Sequence, residues 1–138
     1  MEALMAFNLA PLAARRDMAM LAVIHRTLLQ KGPTHFKQFF FLQGRRTTAN
    51  TRLATRRAAH GKQLKDYRAG THLNVLRRSA LGLVTVYNLL PRDVVNTATT
   101  RDFQKKLQQV LKDRAEQGCD DWALTFSPRV PLYQHLLR

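Results

Sequence analysis

Apolar residues recur every three or four positions in three stretches of the chain: 12–30, 73–90 and 100–117. This spacing places them on one face of a helix, so each stretch is predicted to be an amphipathic helix with a buried side. In the third stretch Phe103 and Leu107 belong to that face. The pattern predicts a mostly α protein, a small helical domain of three main helices.

Glycine, proline and threonine mark the predicted helix ends. Gly32, followed by proline, is expected to take the left-handed conformation that stops the first helix. Pro91 stops the second helix, because the residue before a proline is forced out of the helical region. Thr99 or Thr100 is expected to cap the third helix, and Gly118 to end it.

Two short segments leave a strand as the alternative to a helix or a loop. Val84-Thr85-Val86 is β-branched within the second predicted helix, so its second half is compatible with a strand. Trp122, Leu124 and Phe126 alternate with other residues at period two, which is typical of a short strand. Otherwise the segment 118–138 is predicted to be an extended tail.

Aromatic and histidine residues near the first helix have two interpretations each. Phe36 and Phe40 share a helical face and are expected to pack back onto the first helix as core, although a base-stacking platform is the functional alternative. His25 lies on the apolar face of that helix, which favours a packed core residue over a metal ligand.

Charge changes this picture more than any motif. The 138 residues carry 23 Lys and Arg against 9 Asp and Glu, a net charge of +14. Much of the excess lies in a basic irregular connector, 42–72, and just beyond it, where Asp66 is the single carboxylate. Such an excess attracts polyanions, nucleic acid above all. The predicted nucleic-acid-binding residues are Arg45, Arg46, Arg52, Arg56, Arg57, Lys62, Lys65, Arg68, Arg77 and Arg78.

Catalytic chemistry finds no support in the sequence. The single cysteine, Cys119, lies beside Asp120 and Asp121, where a thiolate is disfavoured, so a helix exit is expected there. The five histidines have no metal-ligand spacing, and no glycine-rich phosphate loop is present. We therefore expect no enzyme activity, no metal, no cofactor and no small-molecule substrate.

One ordered series of residues resembles a known family. Tyr87-Asn88-Leu89-Leu90-Pro91, then Val94-Val95, then Phe103 and Leu107 in a basic helix, resembles the segment that ends the reverse transcriptase polyprotein of non-LTR retrotransposons. Upstream, Pro11-Leu12 with Arg15-Arg16-Asp17, and the helix through His25 to Lys31-Gly32-Pro33, resemble the region after the thumb in the same proteins. The resemblance implies a segment that grips template RNA or target DNA, with Asn88 and Pro91 in structural roles. The family's palm, with its catalytic aspartates, has no counterpart in these residues.

These observations lead to one main hypothesis and two alternatives. The chain is expected to be a single domain or fragment, 1–138, that binds the phosphate backbone of RNA or DNA without catalysis. In this hypothesis the chain is a remnant or fragment of a retroelement reverse transcriptase. The first alternative is an independent basic helical module of a ribonucleoprotein, and the second is a translated fossil with no selected role. No apolar run is long enough to span a bilayer, so no membrane partner is expected. We also expect an intracellular location, in the nucleus or the cytoplasm, with the mitochondrion as the alternative.

Overall fold

The structure is a computed structural model of the chain, and it describes residues 10–40, 42, 60–64, 80–130 and 134–137. The α-helices are α1 (Leu12–Leu28), α2 (Val84–Leu89), α3 (Arg92–Val95) and α4 (Thr100–Glu116). Short 3₁₀ helices span Thr34–Gln38, Ala80–Leu83 and Trp122–Leu124. The predicted mostly α architecture is confirmed. The first and third predicted helices agree with α1 and α4 within two residues at each end.

The end of α1 differs in detail from the prediction. Pro11 is the N-cap of α1, and the helix ends at Leu28. The left-handed residue that follows is Gln30, with a φ of 60°, and not Gly32. Gly32 is needed for another reason, because a Cβ at this position would lie 3.1 Å from the Thr27 hydroxyl oxygen. The glycine therefore serves close packing against α1.

The second apolar stretch is helical where the structure describes it. The 3₁₀ helix Ala80–Leu83 leads directly into α2, so the strand alternative for Val84-Thr85-Val86 is wrong. Burial decides this outcome, because all three side chains lie inward, and a tightly packed core overrides a modest β preference. Leu90 takes the extended conformation (φ −61°, ψ 147°) that Pro91 requires, and α3 follows at once.

Capping residues define α4 as the sequence predicts. The Thr99 hydroxyl accepts a hydrogen bond from the Asp102 amide at 3.1 Å and donates one to the Asp102 carboxylate at 2.8 Å. At the other end Gly118 has a φ of 74°, the left-handed conformation that favours glycine. The α4 boundaries therefore follow from local chemistry.

The predicted extended tail is wrong for its described residues. Residues 120–126 form turns and the 3₁₀ helix Trp122–Leu124, where a short strand was the alternative. Trp122 and Phe126 are buried and Leu124 is 46% exposed. The two buried rings are four positions apart, which matches one helical turn. The alternation at period two in the sequence does not reveal this spacing.

The core lies between α1, α2 and α4, where Leu21, Ile24, Leu90, Phe103 and Leu107 are fully buried. α1 packs chiefly on α4, and both contact the 3₁₀ helix Trp122–Leu124. Phe40 is buried and Phe36 packs against the same core, as the core interpretation of the phenylalanines predicts. No helix among the described residues combines the length and the apolar character needed to cross a bilayer.

Candidate nucleic-acid interface

Of the ten predicted nucleic-acid-binding cations, Lys62 is the one that the structure describes. The other nine lie outside the described residues: Arg45, Arg46, Arg52, Arg56, Arg57, Lys65, Arg68, Arg77 and Arg78. Lys62 is half-buried, and its ammonium group lies 3.5 Å from the Val95 carbonyl oxygen. Its side chain therefore contacts the helical body as well as solvent.

Residues 60–64, which we call the anchored strip, are fixed to α2 by Asn88. The Asn88 Oδ1 accepts the Leu64 amide at 2.7 Å, and its Nδ2 donates to the Leu64 carbonyl at 2.9 Å. Gln63 donates to the Asn88 carbonyl at 3.1 Å, and Leu64 is buried. A side-chain amide that pairs with both backbone groups of one residue imitates a β-bridge. Leu64 also forms an isolated antiparallel bridge with Leu42.

His60 provides the second attachment of the anchored strip. Its ring is buried, and its Nε2 lies 2.8 Å from the Tyr87 carbonyl oxygen. A carbonyl can only accept, so Nε2 carries the proton, and Nδ1 accepts the Lys62 amide at 3.1 Å. Burial lowers the pKa of His60, with nearby Lys62 lowering it further. His60 is therefore the neutral Nε2–H tautomer.

His25 lies at the centre of a buried polar network beneath the strip. Its Nε2 lies 3.1 Å from the Thr97 carbonyl, which accepts, so Nδ1 accepts from the Tyr87 hydroxyl at 2.9 Å. The ring stacks on Phe103 with a centroid separation of 4.1 Å. Burial lowers the pKa of His25 and raises the pKa of Tyr87. His25 is thus a packed core residue, as its position on the apolar face predicts.

The outer side of α1 carries cations without carboxylates. Arg15, Arg16 and Arg26 are exposed there, and the Arg26 Nε donates to the Lys31 carbonyl at 3.1 Å. The one carboxylate of α1, Asp17, is buried on the other side. Burial raises the pKa of Asp17, against the lowering effect of Arg16 and Arg129. This face therefore presents guanidinium groups to solvent.

The described carboxylates of α4 have partners other than arginine. Asp102 accepts from Thr99, and Asp113 accepts from Gln109 at 2.7 Å. Glu116 lies 4.0 Å from Lys112, within the same helix. These contacts leave Arg101 and Lys105 of α4 exposed and not neutralised by the carboxylates of their own helix.

Metal-site chemistry finds no support in the described part of the chain. No group of three His, Cys, Asp or Glu side chains among those residues is arranged to hold a metal ion. Cys119 is a free, half-buried thiol at the exit of α4. Asp120 and Asp121 beside it are exposed, and Asp121 makes no side-chain cap to the following 3₁₀ helix.

Comparison with known proteins gives no match: no family model, no curated protein and no solved structure matches this chain. The arguments for function therefore come from the residues themselves.

Two attachments were not predicted from the sequence. His60 lies among cations in the sequence, where nothing indicates a buried ring, and its partner Tyr87 is 27 positions away. Asn88 was expected in a structural role near a helix exit, and it has one, but its partner Leu64 could not be deduced. The one local signal is Leu64 itself, an isolated large apolar residue in a polar segment.

Proposed function

We propose that this protein binds nucleic acid without catalysis, through arginines and lysines that contact phosphates. The observation that carries the proposal is the charge distribution. The stretch 42–78 holds ten Lys and Arg against Asp66 alone, in a chain of net charge +14. Arginine dominates this set, and its planar fork suits bidentate phosphate contacts.

The described helical body supports the proposal in a second way. Asp102, Asp113 and Glu116 accept from groups on their own helix or its cap, so they do not neutralise the arginines of α1. Exposed cations without nearby carboxylates favour polyanion binding over a merely solvated surface, which usually mixes both signs.

We further propose that the chain acts as the nucleic-acid-gripping segment of a retroelement reverse transcriptase of the non-LTR type. The support is the residue series from Tyr87 to Leu107. Its structural expectations are consistent with the fold, since Asn88 fixes the anchored strip and Pro91 ends α2. The alternative, an independent ribonucleoprotein module, predicts a preference for folded RNA over duplex DNA.

The test is a salt series on the full chain with fluorescently labelled single-stranded RNA and duplex DNA of mixed sequence. One variant replaces five arginines of the connector by Gln: Arg45, Arg46, Arg52, Arg56 and Arg57. A matched control removes the same charge from the exposed helix cations, again by Gln: Arg15, Arg16, Arg26, Arg101 and Lys105.

The connector variant should bind more weakly and with a shallower dependence on salt. Each lost phosphate contact lowers the slope of log K against log salt by about 0.9 on duplex DNA and about 0.7 on single strands. The control should lose less. Equal losses in the two variants would contradict the assignment to the connector, and no binding at low salt would contradict the function. Binding to RNA alone would favour the ribonucleoprotein alternative.

A further inference from the structure

Two irregular segments of this protein are attached to the helical body by the same histidine geometry. In the anchored strip, His60 Nδ1 accepts the amide of Lys62 and Nε2 donates to the Tyr87 carbonyl. Near the end of the chain, His135 Nδ1 accepts the Leu137 amide at 3.3 Å, and Nε2 lies 3.2 Å from the Ser127 carbonyl. In both cases Nδ1 bonds the amide two residues on, and Nε2 bonds a carbonyl outside the segment.

This geometry requires a neutral ring. Nδ1 accepts a hydrogen bond only while it is unprotonated. The amide that donates to it cannot turn away without moving the backbone. Protonation of Nδ1 would place two N–H groups against each other. Both rings are buried, so water cannot replace the lost acceptor while the segment stays attached.

The carbonyl hydrogen bond of each ring, to Tyr87 or to Ser127, favours the protonated form, but burial outweighs it. Against His60, α2 presents the Tyr87 ring edge-on, at a centroid distance of 5.6 Å, and the strip contributes the cation Lys62. Beside His135, the guanidinium of Arg114 donates to the Leu136 carbonyl. No carboxylate among the described residues acts on either ring. A positive charge would therefore meet cations and neutral groups.

We infer that the attachments of residues 60–64 and 134–137 form a proton-sensitive device, in which protonation of His60 and His135 releases each segment while the helices stay folded. The direction follows from linkage. Burial lowers the pKa of both attached rings below the ordinary 6.5, so the released segment binds the proton more tightly. Release is thus favoured as the pH falls through 6.5, and attachment is complete above it.

The consequence concerns the strip most directly. It lies in the sequence between 43–59 and 65–79, which together carry nine of the ten predicted nucleic-acid-binding cations. Release would detach the described residues that lie between these two stretches in the sequence. The inference rests on the geometry and the burial of the two histidines, so it stands or fails independently of the proposed function.

The experiment measures amide protection by hydrogen exchange and NMR on the full chain between pH 7.5 and pH 5.5. The reporters are the Lys62 and Leu137 amides, which donate to the two Nδ1 atoms, with Phe103 and Leu107 in α4 as internal references. After correction for intrinsic exchange, protection at Lys62 and Leu137 should fall by up to about tenfold at pH 5.5, as expected for one proton at a site of pKa 6.5. The α4 amides should stay more protected than both reporters, and any loss that they show should match the drop in global stability that protonation of the buried His25 causes.

Variants assign the effect to each ring. His60→Gln should abolish the pH response at Lys62 and leave that at Leu137, and His135→Gln should do the reverse, because the amide side chain does not titrate. His35→Gln, at an exposed ring, should leave both responses intact.

A parallel ¹⁵N titration of the imidazole rings keeps the test decisive if a Gln variant fails to attach its segment. His60 and His135 should show the Nε2–H tautomer at pH 7.5, and their protonation should coincide with the loss of amide protection. Unchanged protection at pH 5.5 would overturn the inference. An equal loss at both reporters and in α4, which would indicate global unfolding, would also overturn it, and so would the opposite tautomer.

Discussion

The hydrogen bond between the Tyr87 hydroxyl and His25 Nδ1 can be tested by exchanging both partners for phenylalanine. Tyr87→Phe removes the donor and leaves the buried Nδ1 without a partner. His25→Phe keeps a ring to stack on Phe103, but it leaves the Tyr87 hydroxyl and the Thr97 carbonyl unpaired. The double variant removes both members of the pair together, so the loss that remains is at Thr97. Its carbonyl and hydroxyl oxygens both lie near His25 Nε2, and the hydroxyl keeps its bond to the Val94 carbonyl.

The magnitudes follow from the cost of leaving a buried polar group unpaired, about 1–3 kcal/mol. Tyr87 and His25 are both fully buried, so this cost applies without screening by water. Tyr87→Phe should lower the free energy of unfolding by about 1–3 kcal/mol, and His25→Phe, which leaves two groups unpaired, by about 2–6 kcal/mol. The double variant should be less destabilised than the sum of the two by about 2–6 kcal/mol, because neither Nδ1 nor the hydroxyl remains.

The assay is urea unfolding followed by circular dichroism at pH 7.5, where the lowered pKa keeps His25 neutral. A control cycle pairs Tyr87→Phe with His35→Phe, and it should be additive because His35 is an exposed ring that makes no contact with Tyr87. Additivity within about 0.5 kcal/mol in the His25 cycle would refute the network, since independent sites behave in that way.

Two backbone positions give further predictions for the same unfolding assay. Gln30→Gly should stabilise the protein by about 0.5–1 kcal/mol, because Gln30 holds a φ of 60° that glycine adopts more easily. A loss of stability in this variant would contradict the left-handed conformation of Gln30. Gly32→Ala should destabilise the protein, because the added Cβ would lie 3.1 Å from the Thr27 hydroxyl oxygen. Gly118→Ala should lower the free energy of unfolding by about 1–2 kcal/mol, because Gly118 has a φ of 74°. Gly61→Ala is the control and should change the stability little, because an added Cβ there meets nothing within 4 Å and φ is not left-handed. Equal effects of the two variants would argue against the cap of α4 at Gly118.

What could be predicted from the sequence is the part of the fold that neighbouring residues determine. The ends of α4 follow from Thr99 and Gly118, and the end of α2 from Pro91, because caps and prolines act on residues within one turn. His25 was placed in the core from the helical spacing of α1 alone. In each case the deciding interaction spans only a few positions in the sequence.

What could not be predicted depends on contacts between distant residues. Asn88 bonds Leu64 across 24 positions, and His60 bonds the Tyr87 carbonyl across 27. No periodicity or composition encodes such pairs, since a histidine among cations has the same sequence signal whether its ring is buried or solvated. The turns of residues 120–126 escape prediction for a related reason, because the segment around the buried Trp122 packs against α1 and α4, which are distant in the sequence.

Neutral side chains make most of the attachments of the irregular segments, whereas the proposed function depends on charged ones. This difference connects the fold to the proposed function. The irregular segments are attached largely by neutral groups, the Asn88 amide and the rings of His60 and His135, each bonded to backbone amides or carbonyls. The charged groups that take part, Lys62 and Arg114, donate to backbone carbonyls and not to carboxylates. Bonds between neutral groups are insensitive to salt, whereas exposed guanidinium–phosphate contacts weaken steeply as salt rises. If ion pairs held these segments, a bound polyanion would compete for the cations and loosen the body. Under the proposed function, these neutral anchors would keep their hydrogen bonds while basic residues exchange solvent ions for phosphates.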